Sequence, residues 1–268
     1  MKRTFPTEFL YQVFALIIAV IVVHAIYVTV VRPRATEVMA EQTLRIQEEE
    51  NYTAERSVWV LIRDFEQESC FVLMIWAFSI MGFKATKSLS ERALLQRELV
   101  PVPDGVRVLP EDSREYARTI QALPDRMRGM LLPRVLLSSL ERFGSTRNVQ
   151  DVSSVANTLC ESEGERLESE LSMIRYIAWA IPSVGFIGTV RGIGDALGQA
   201  HRAVDGDIAG VTQSLGTAFN STFIALLISI VVMFLVHQLQ LLQERLVFDT
   251  QTYIDHNLIR HMQARNTQ

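Results

Sequence analysis

Residues 173–197 read MIRYIAWAIPSVGFIGTVRGIGDAL, and residues 211–242 read VTQSLGTAFNSTFIALLISIVVMFLVHQLQLL. Both runs are mostly apolar, and the second contains no formally charged residue. A membrane-spanning helix needs about 20 apolar residues, because it rises about 1.5 Å per residue across a hydrocarbon core of about 30 Å. The two runs therefore predict membrane-spanning helices at 173–197 and 212–241, joined by a short loop at 198–211.

Two further apolar runs precede this pair. Residues 10–31 carry no formal charge and are long enough to span a membrane. They end at Arg32 without a small-residue cleavage site, so we interpret them as an uncleaved anchor. Residues 70–83 are also uncharged but short, and the predicted span extends over 69–86. The sequence thus predicts four membrane-spanning helices.

The charges between the spans predict their orientation. Residues 32–69 hold five arginines against nine acids, whereas residues 84–97 hold four basic residues and one acid. Because basic residues favour the cytoplasmic side, we expect a cytoplasmic N-terminus. The predicted order is a cytoplasmic N-terminus (1–9), a periplasmic segment (32–68), a cytoplasmic region (87–172), a short periplasmic loop (198–211) and a cytoplasmic tail (242–268).

Apolar residues recur at helical spacing through the cytoplasmic region, and no alternating strand pattern is present. Prolines divide this region into short helices (Pro101, Pro103, Pro110, Pro124, Pro133). The tail is predicted to continue the last span as an amphipathic helical stalk (Leu246, Phe248, Tyr253, Leu258). The predicted fold class is an all-α membrane protein with four transmembrane helices and a helical cytoplasmic extension.

Several function classes are disfavoured by composition. A mean hydropathy of +0.17 argues against an ordinary soluble enzyme. The net charge of −4 offers no basic surface for nucleic acid. No phosphate-binding loop, HExxH or GxSxG motif occurs, and the two cysteines, Cys70 and Cys160, predict neither a disulfide nor a zinc site. We therefore expect no enzyme activity, metal or cofactor.

Small residues line one face of each of the last two spans. In the third span they recur at intervals of three or four, which lets another helix backbone approach closely (Pro182, Gly185, Gly188, Gly192). The fourth span carries a polar stripe that includes Thr217 and Ser221, flanked by Thr222. These hydroxyls either bond to the preceding turn's carbonyls and permit packing, or line a narrow hydrated path together with Thr189.

The stretches IPSVGFIGTVRGIGDAL and GVTQSLGTAFNSTFIALLIS resemble the paired signature helices of the MotA/TolQ/ExbB proton-channel family. The resemblance covers about residues 170–240. It implies a ring, expected to be a pentamer, around a single-span partner dimer of the ExbD/TolR/MotB kind that carries an essential aspartate. It also implies that Thr189 and Thr222 face the central pore and help to solvate that aspartate, with Thr217 and Ser221 along the same proton path.

The chain departs from the family pattern at two positions. Thr217 stands where an acidic residue is frequent, and Arg191 stands where apolar residues are common. Arg191 and Asp195 are four residues apart on one helix. They form either an ion pair that stabilises the helix end, or an outer proton entrance or partner contact.

The function predicted from these features is that of a proton-conducting subunit of an ion-driven inner-membrane motor, which converts proton-motive force into mechanical work. It would contact membrane lipid, with both termini cytoplasmic. The alternative is a non-conducting membrane scaffold in which the glycines only pack helices. Hydroxyl-lined sites also accommodate sodium, although the resemblance favours protons. The client process stays open between outer-membrane energisation, motility, gliding and defence.

Overall fold

The computed structural model describes residues 7–48, 57–103, 105–204, 206 and 208–263. Parts of the predicted segments 1–9, 32–68, 87–172, 198–211 and 242–268 therefore lie outside the described residues. Within the described ranges the fold is helical, and its one β feature is a parallel bridge between Val108 and Met262. The prediction of an all-α protein is confirmed.

The described residues form eleven α-helices, one π-helical turn and two 3-10 turns. In chain order they are α1 (Thr7–Ile26), a π-helical turn (Tyr27–Val31), α2 (Arg32–Glu48), α3 (Val58–Leu61), α4 (Phe65–Arg92), a 3-10 turn (Ala93–Gln96), α5 (Ser113–Gln121), α6 (Asp125–Arg128), α7 (Leu131–Thr146), α8 (Val149–Glu170), α9 (Ser172–Gly198), α10 (Ala200–Val204), α11 (Ala209–Asn257) and a last 3-10 turn (Ile259–His261).

Four helical stretches of the described chain are long and apolar enough to cross a membrane. They are Glu8–Arg45, Phe65–Gln96, Val149–Gly198 and Ala209–His261. Each contains one of the four runs predicted from sequence. The spans 10–31, 69–86, 173–197 and 212–241 stay predictions of where each helix lies within the bilayer.

The chain divides into two compact units. The first, which we call the span unit, comprises the described residues up to 82 together with 173–236. It contains α1, the first part of α4, almost all of α9 and most of α11. Apolar side chains such as Trp179, Phe186 and Ile230 are exposed on it, as expected for helix faces that meet lipid or other subunits.

The first helix does not end at the charged Arg32, because a π-helical turn joins α1 to α2. Pro33 follows this turn and has no N–H to offer the preceding turn of the helix. The wider π-helical turn is a way for a continuous helix to accommodate such a break. Tyr27 and Val31 in this turn are buried within the span unit beside Phe71 and Ile75.

The second unit, which we call the extension unit, comprises residues 83–172 and the described residues from 237 onward. Its core is formed by α5, α7, α8 and the end of α11, and includes the fully buried Val135, Leu136, Leu140 and Phe143. Prolines were expected to divide this region into short helices, but one of them, Pro133, does not interrupt a helix. Pro133 lies within the first turn of α7, where a missing N–H removes no helical bond.

The tail continues the last span as a helix and packs one face of it into the extension unit. α11 continues to Asn257, and Ile254 and Leu258 are fully buried in the core of the extension unit. The Tyr253 hydroxyl donates to the Arg97 carbonyl (3.0 Å) and accepts from the Leu99 N–H (3.0 Å). The end of the last helix is therefore an integral part of this unit's core.

Candidate functional site

The small-residue face of α9 packs directly against α11 within one chain. Gly185, Gly188 and Gly192 are buried there. A Cβ atom at Gly188 would lie 2.6 Å from the Ser221 Cβ, and one at Gly192 would lie 2.7 Å from the Ala218 Cβ. Because no real Cβ tolerates such distances, only glycine permits this approach of the two helices.

This close approach brings the two threonine hydroxyls together. Thr189 on α9 and Thr222 on α11 are hydrogen-bonded to each other, and both are half-buried. The Thr189 hydroxyl also contacts the Ala218 carbonyl (3.1 Å), while the Thr222 hydroxyl contacts the Gly185 carbonyl (3.0 Å). Each hydroxyl has one proton but two acceptor lone pairs, so acceptor capacity is left over for a further donor.

Pro182 lies inside α9 and has no N–H for the carbonyl of Ala178, one turn earlier. The Ser229 hydroxyl on α11 donates to that carbonyl (3.2 Å). Serine side chains satisfy freed backbone groups in this way inside membrane helices. Pro182 itself is half-buried, so it shapes the α9–α11 contact through its missing hydrogen bond.

Ser221 and Thr217 lie on the same face of α11, one turn apart. Ser221 is fully buried, and its hydroxyl donates to the Thr217 carbonyl (3.1 Å). It also accepts a hydrogen bond from Nε2 of Gln67 on α4 (3.3 Å). Gln67 is fully buried too, and its Oε1 atom has no hydrogen-bond partner among the described residues.

Arg191 does not form the predicted ion pair with Asp195. Its guanidinium binds the Glu66 carboxylate on α4 in a bidentate manner, with Nε–Oε1 and Nη2–Oε2 distances of 2.7 and 2.8 Å. The planar fork of arginine matches two carboxylate oxygens, which a partner at i+4 on the same helix rarely offers. The exposed Asp195 accepts a hydrogen bond at its backbone carbonyl from Gln199 (3.2 Å).

The first turn of α4 contacts four other helices through three consecutive residues. Glu66 binds Arg191 on α9, and Gln67 binds Ser221 on α11. Glu68 binds both His24 on α1 (2.7 Å) and Arg32 on α2 (2.6 Å). Sequence reasoning missed this junction, because it counted these residues only as charges of the predicted periplasmic segment.

In the described residues no group of three or more His, Cys, Asp or Glu side chains comes together. Cys70 and Cys160 are both buried free thiols, in different units. The chemistry available at the α9–α11 contact is therefore that of hydroxyls, backbone carbonyls, an amide and one ion pair.

Comparison with known proteins gives a family for this arrangement. No curated protein matches the chain. The model of the MotA/TolQ/ExbB proton channel family matches residues 130–252, which include all of α7 to α10 and most of α11. The match extends well upstream of the two signature helices, into the extension unit. Residues 130–252 thus match the MotA/TolQ/ExbB proton channel family, which confirms the family identified from the signature helices.

Proposed function

We propose that the chain is the proton-conducting subunit of an inner-membrane motor that converts proton-motive force into mechanical work. It works with a single-span ExbD/TolR/MotB-like partner dimer that carries an intramembrane aspartate. The family match supports a proton-channel role in energy-transducing complexes. The observation that carries the proposal for this chain is the pairing of the Thr189 and Thr222 hydroxyls between α9 and α11.

The chemistry of a hydroxyl pair suits a carboxylate that cycles between charged and neutral forms. An unsolvated carboxylate in the membrane is costly, so its ionised form needs hydrogen-bond donors nearby. A threonine hydroxyl supplies one when its single proton turns from the backbone carbonyl that it contacts to the carboxylate. Its protonated form needs an acceptor, which the free lone pairs of Thr189 and Thr222 supply. Both side chains are half-buried, which leaves part of each accessible to a partner helix.

In this proposal several copies form a ring, a pentamer by family resemblance, around the partner. The exposed apolar side chains of the span unit supply surface for contacts with lipid and with neighbouring copies. Both termini lie in the cytoplasm, and the chain acts as a channel rather than as an enzyme. The client process is one that uses mechanical work at the cell envelope or in the cytoplasm.

Proton flux in liposomes tests the proposal. The chain and a single-span partner protein that carries an intramembrane aspartate are purified as one complex and reconstituted, and decay of an imposed pH gradient is followed with an internal dye. We expect flux from the complex and none from either component alone. An assembled complex that leaves the gradient unchanged, with intact vesicles shown by an added protonophore, would refute the proposal.

A non-conducting scaffold is the second candidate, and one observation favours it. The Thr189 and Thr222 hydroxyls already contact the Ala218 and Gly185 carbonyls, so they satisfy backbone groups as packing residues do. In a scaffold, removing the hydroxyls would lower stability without changing any ion flux. The same liposome measurement therefore separates the two candidates.

A further inference from the structure

The ion pair between Glu66 and Arg191 lies close to the threonine pair. Glu66 Cγ is 3.0 Å from where a Cβ of Gly188 would stand, and Gly188 directly precedes Thr189. Arg191 follows Thr189 by two residues on the same helix, a rise of about 3 Å along the axis. Along the axis of α9 both charges are thus within about one helical turn of Thr189, although Arg191 and Thr189 project from different sides of the helix.

Glu66 is held in place by its surroundings. Its side chain is 11% exposed, and both of its carboxylate oxygens bind Arg191. The next two residues, Gln67 and Glu68, are fixed by contacts to α11 and to α1 and α2. Because Gly188 has no side chain, there is room beside it for the Glu66 side chain. These contacts fix the backbone that carries Glu66 and place its carboxylate beside Arg191.

A lone arginine at this position would oppose the passage of a cation. The Arg191 side chain is 44% exposed, so its charge is not sealed away from the α9 surface. Coulomb repulsion between like charges is strong at separations below about 10 Å when little water lies between them. A carboxylate bound to two of the three guanidinium nitrogens, here Nε and Nη2, cancels most of the positive field of Arg191.

Resting on the proposed function, we propose that Glu66 is a positioning and specificity-determining residue of the ion path, which neutralises Arg191 and so keeps the path permeable to cations. Glu66 neither carries the proton nor contacts the partner in this role. Its effect on conduction passes through the charge of Arg191. The sequence assigns no such role to Glu66, which is 125 positions away from Arg191.

A double-mutant cycle tests this role. Glu66→Gln keeps the size of the side chain and leaves Arg191 unpaired, so flux per assembled complex should fall at least about tenfold. Arg191→Gln removes the repelling charge and should keep flux within about threefold of wild type. The double variant Glu66→Gln/Arg191→Gln carries no charge at the pair and should recover wild-type flux to within about threefold.

The control is a second ion pair in the same unit, Glu41 with Arg45, which lies on the exposed surface of α2. Glu41→Gln should leave the flux unchanged, because that charge is solvated and distant in sequence from the site. All variants are compared at equal amounts of assembled complex, measured by native mass spectrometry. If Glu66→Gln does not assemble, Arg191→Gln and the double variant are compared with wild type.

The outcomes separate this inference from the proposed function. A wild-type complex without flux would refute the proposed function itself. A conducting wild type with a double variant that assembles but stays as inactive as Glu66→Gln would overturn the neutralising role, since no repelling charge is then left. Recovery of flux in the double variant together with near wild-type flux in Arg191→Gln would support it, because a purely structural ion pair predicts that Arg191→Gln lowers flux as much as Glu66→Gln does.

Discussion

Ser229 and Pro182 illustrate how a single hydroxyl replaces a backbone hydrogen bond inside a helix pair. The proline leaves the Ala178 carbonyl without its usual donor, and the serine on the neighbouring helix supplies one. Ala178 is 1% exposed, so water cannot take the place of that donor. The hydrogen bond from Ser229 therefore links the backbone of α9 at Ala178 to the position of α11.

Ser229→Ala should lower the free energy of unfolding by about 1–3 kcal/mol, because a buried carbonyl loses its donor. Thermal unfolding of the detergent-solubilised protein measures the change. Ser183→Ala is the matched control, since the exposed Ser183 hydroxyl bonds only to the Trp179 carbonyl of its own helix (3.2 Å). Equal losses in the two variants would contradict the role given to Ser229.

Arg191 shows where sequence reasoning reaches its limit at the residue scale. Spacing along a helix favours Asp195 as its partner, because residues four apart share a face. The actual partner, Glu66, belongs to another helix and offers two oxygens in the geometry that a guanidinium needs. Contacts between residues so distant in sequence depend on tertiary packing, which periodicity in one segment does not specify.

The close packing of α9 against another membrane-spanning helix was predictable from sequence, because glycines at intervals of three and four leave one helix face without side chains. The junction formed by the first turn of α4 was not. Its three residues, Glu66 to Glu68, resemble solvated polar loop residues in the sequence, and only packing against four other helices gives each a partner. The spacing of apolar residues does not predict the π-helical turn that joins α1 to α2 either.

Gly188→Ala should destabilise the α9–α11 pair by about 1–3 kcal/mol, since the new methyl group would overlap the Ser221 side chain. Gly194→Ala on the same helix is the control. Nothing lies within 4 Å of its Cβ position, so it should be neutral or stabilise the helix by up to about 1 kcal/mol. Unfolding in detergent compares the two, and a more stable Gly188→Ala variant would contradict the packing described for this face.

On the scale of the whole molecule, the number and type of long helices followed from the apolar runs alone. The core of the extension unit did not, because the tail helix contributes Ile254 and Leu258 to it from the far end of the chain. The family match begins at residue 130, so α1 to α6 lie outside the matched residues.

The predicted orientation across the membrane is testable with two cysteine substitutions at exposed sites. Val204→Cys, in α10, is expected on the periplasmic side, and Glu115→Cys, in α5, on the cytoplasmic side. The native cysteines are buried and should react little. A membrane-impermeant maleimide should label Val204→Cys in intact spheroplasts but Glu115→Cys only after lysis. Labelling of both before lysis would contradict the four-span orientation.

The most direct test of the central claim is proton flux through the reconstituted complex when the Thr222 hydroxyl alone is changed. Thr222→Val keeps the shape of the side chain and removes the hydroxyl, whereas Thr222→Ser keeps the hydroxyl. Thr29→Val is the control, because the Thr29 hydroxyl only bonds within its own helix, to the Ala25 carbonyl (2.7 Å). We predict that Thr222→Val assembles with its partner but loses flux, while Thr222→Ser and Thr29→Val retain most of it. Normal flux in an assembled Thr222→Val complex would contradict conduction along the Thr189 and Thr222 surface.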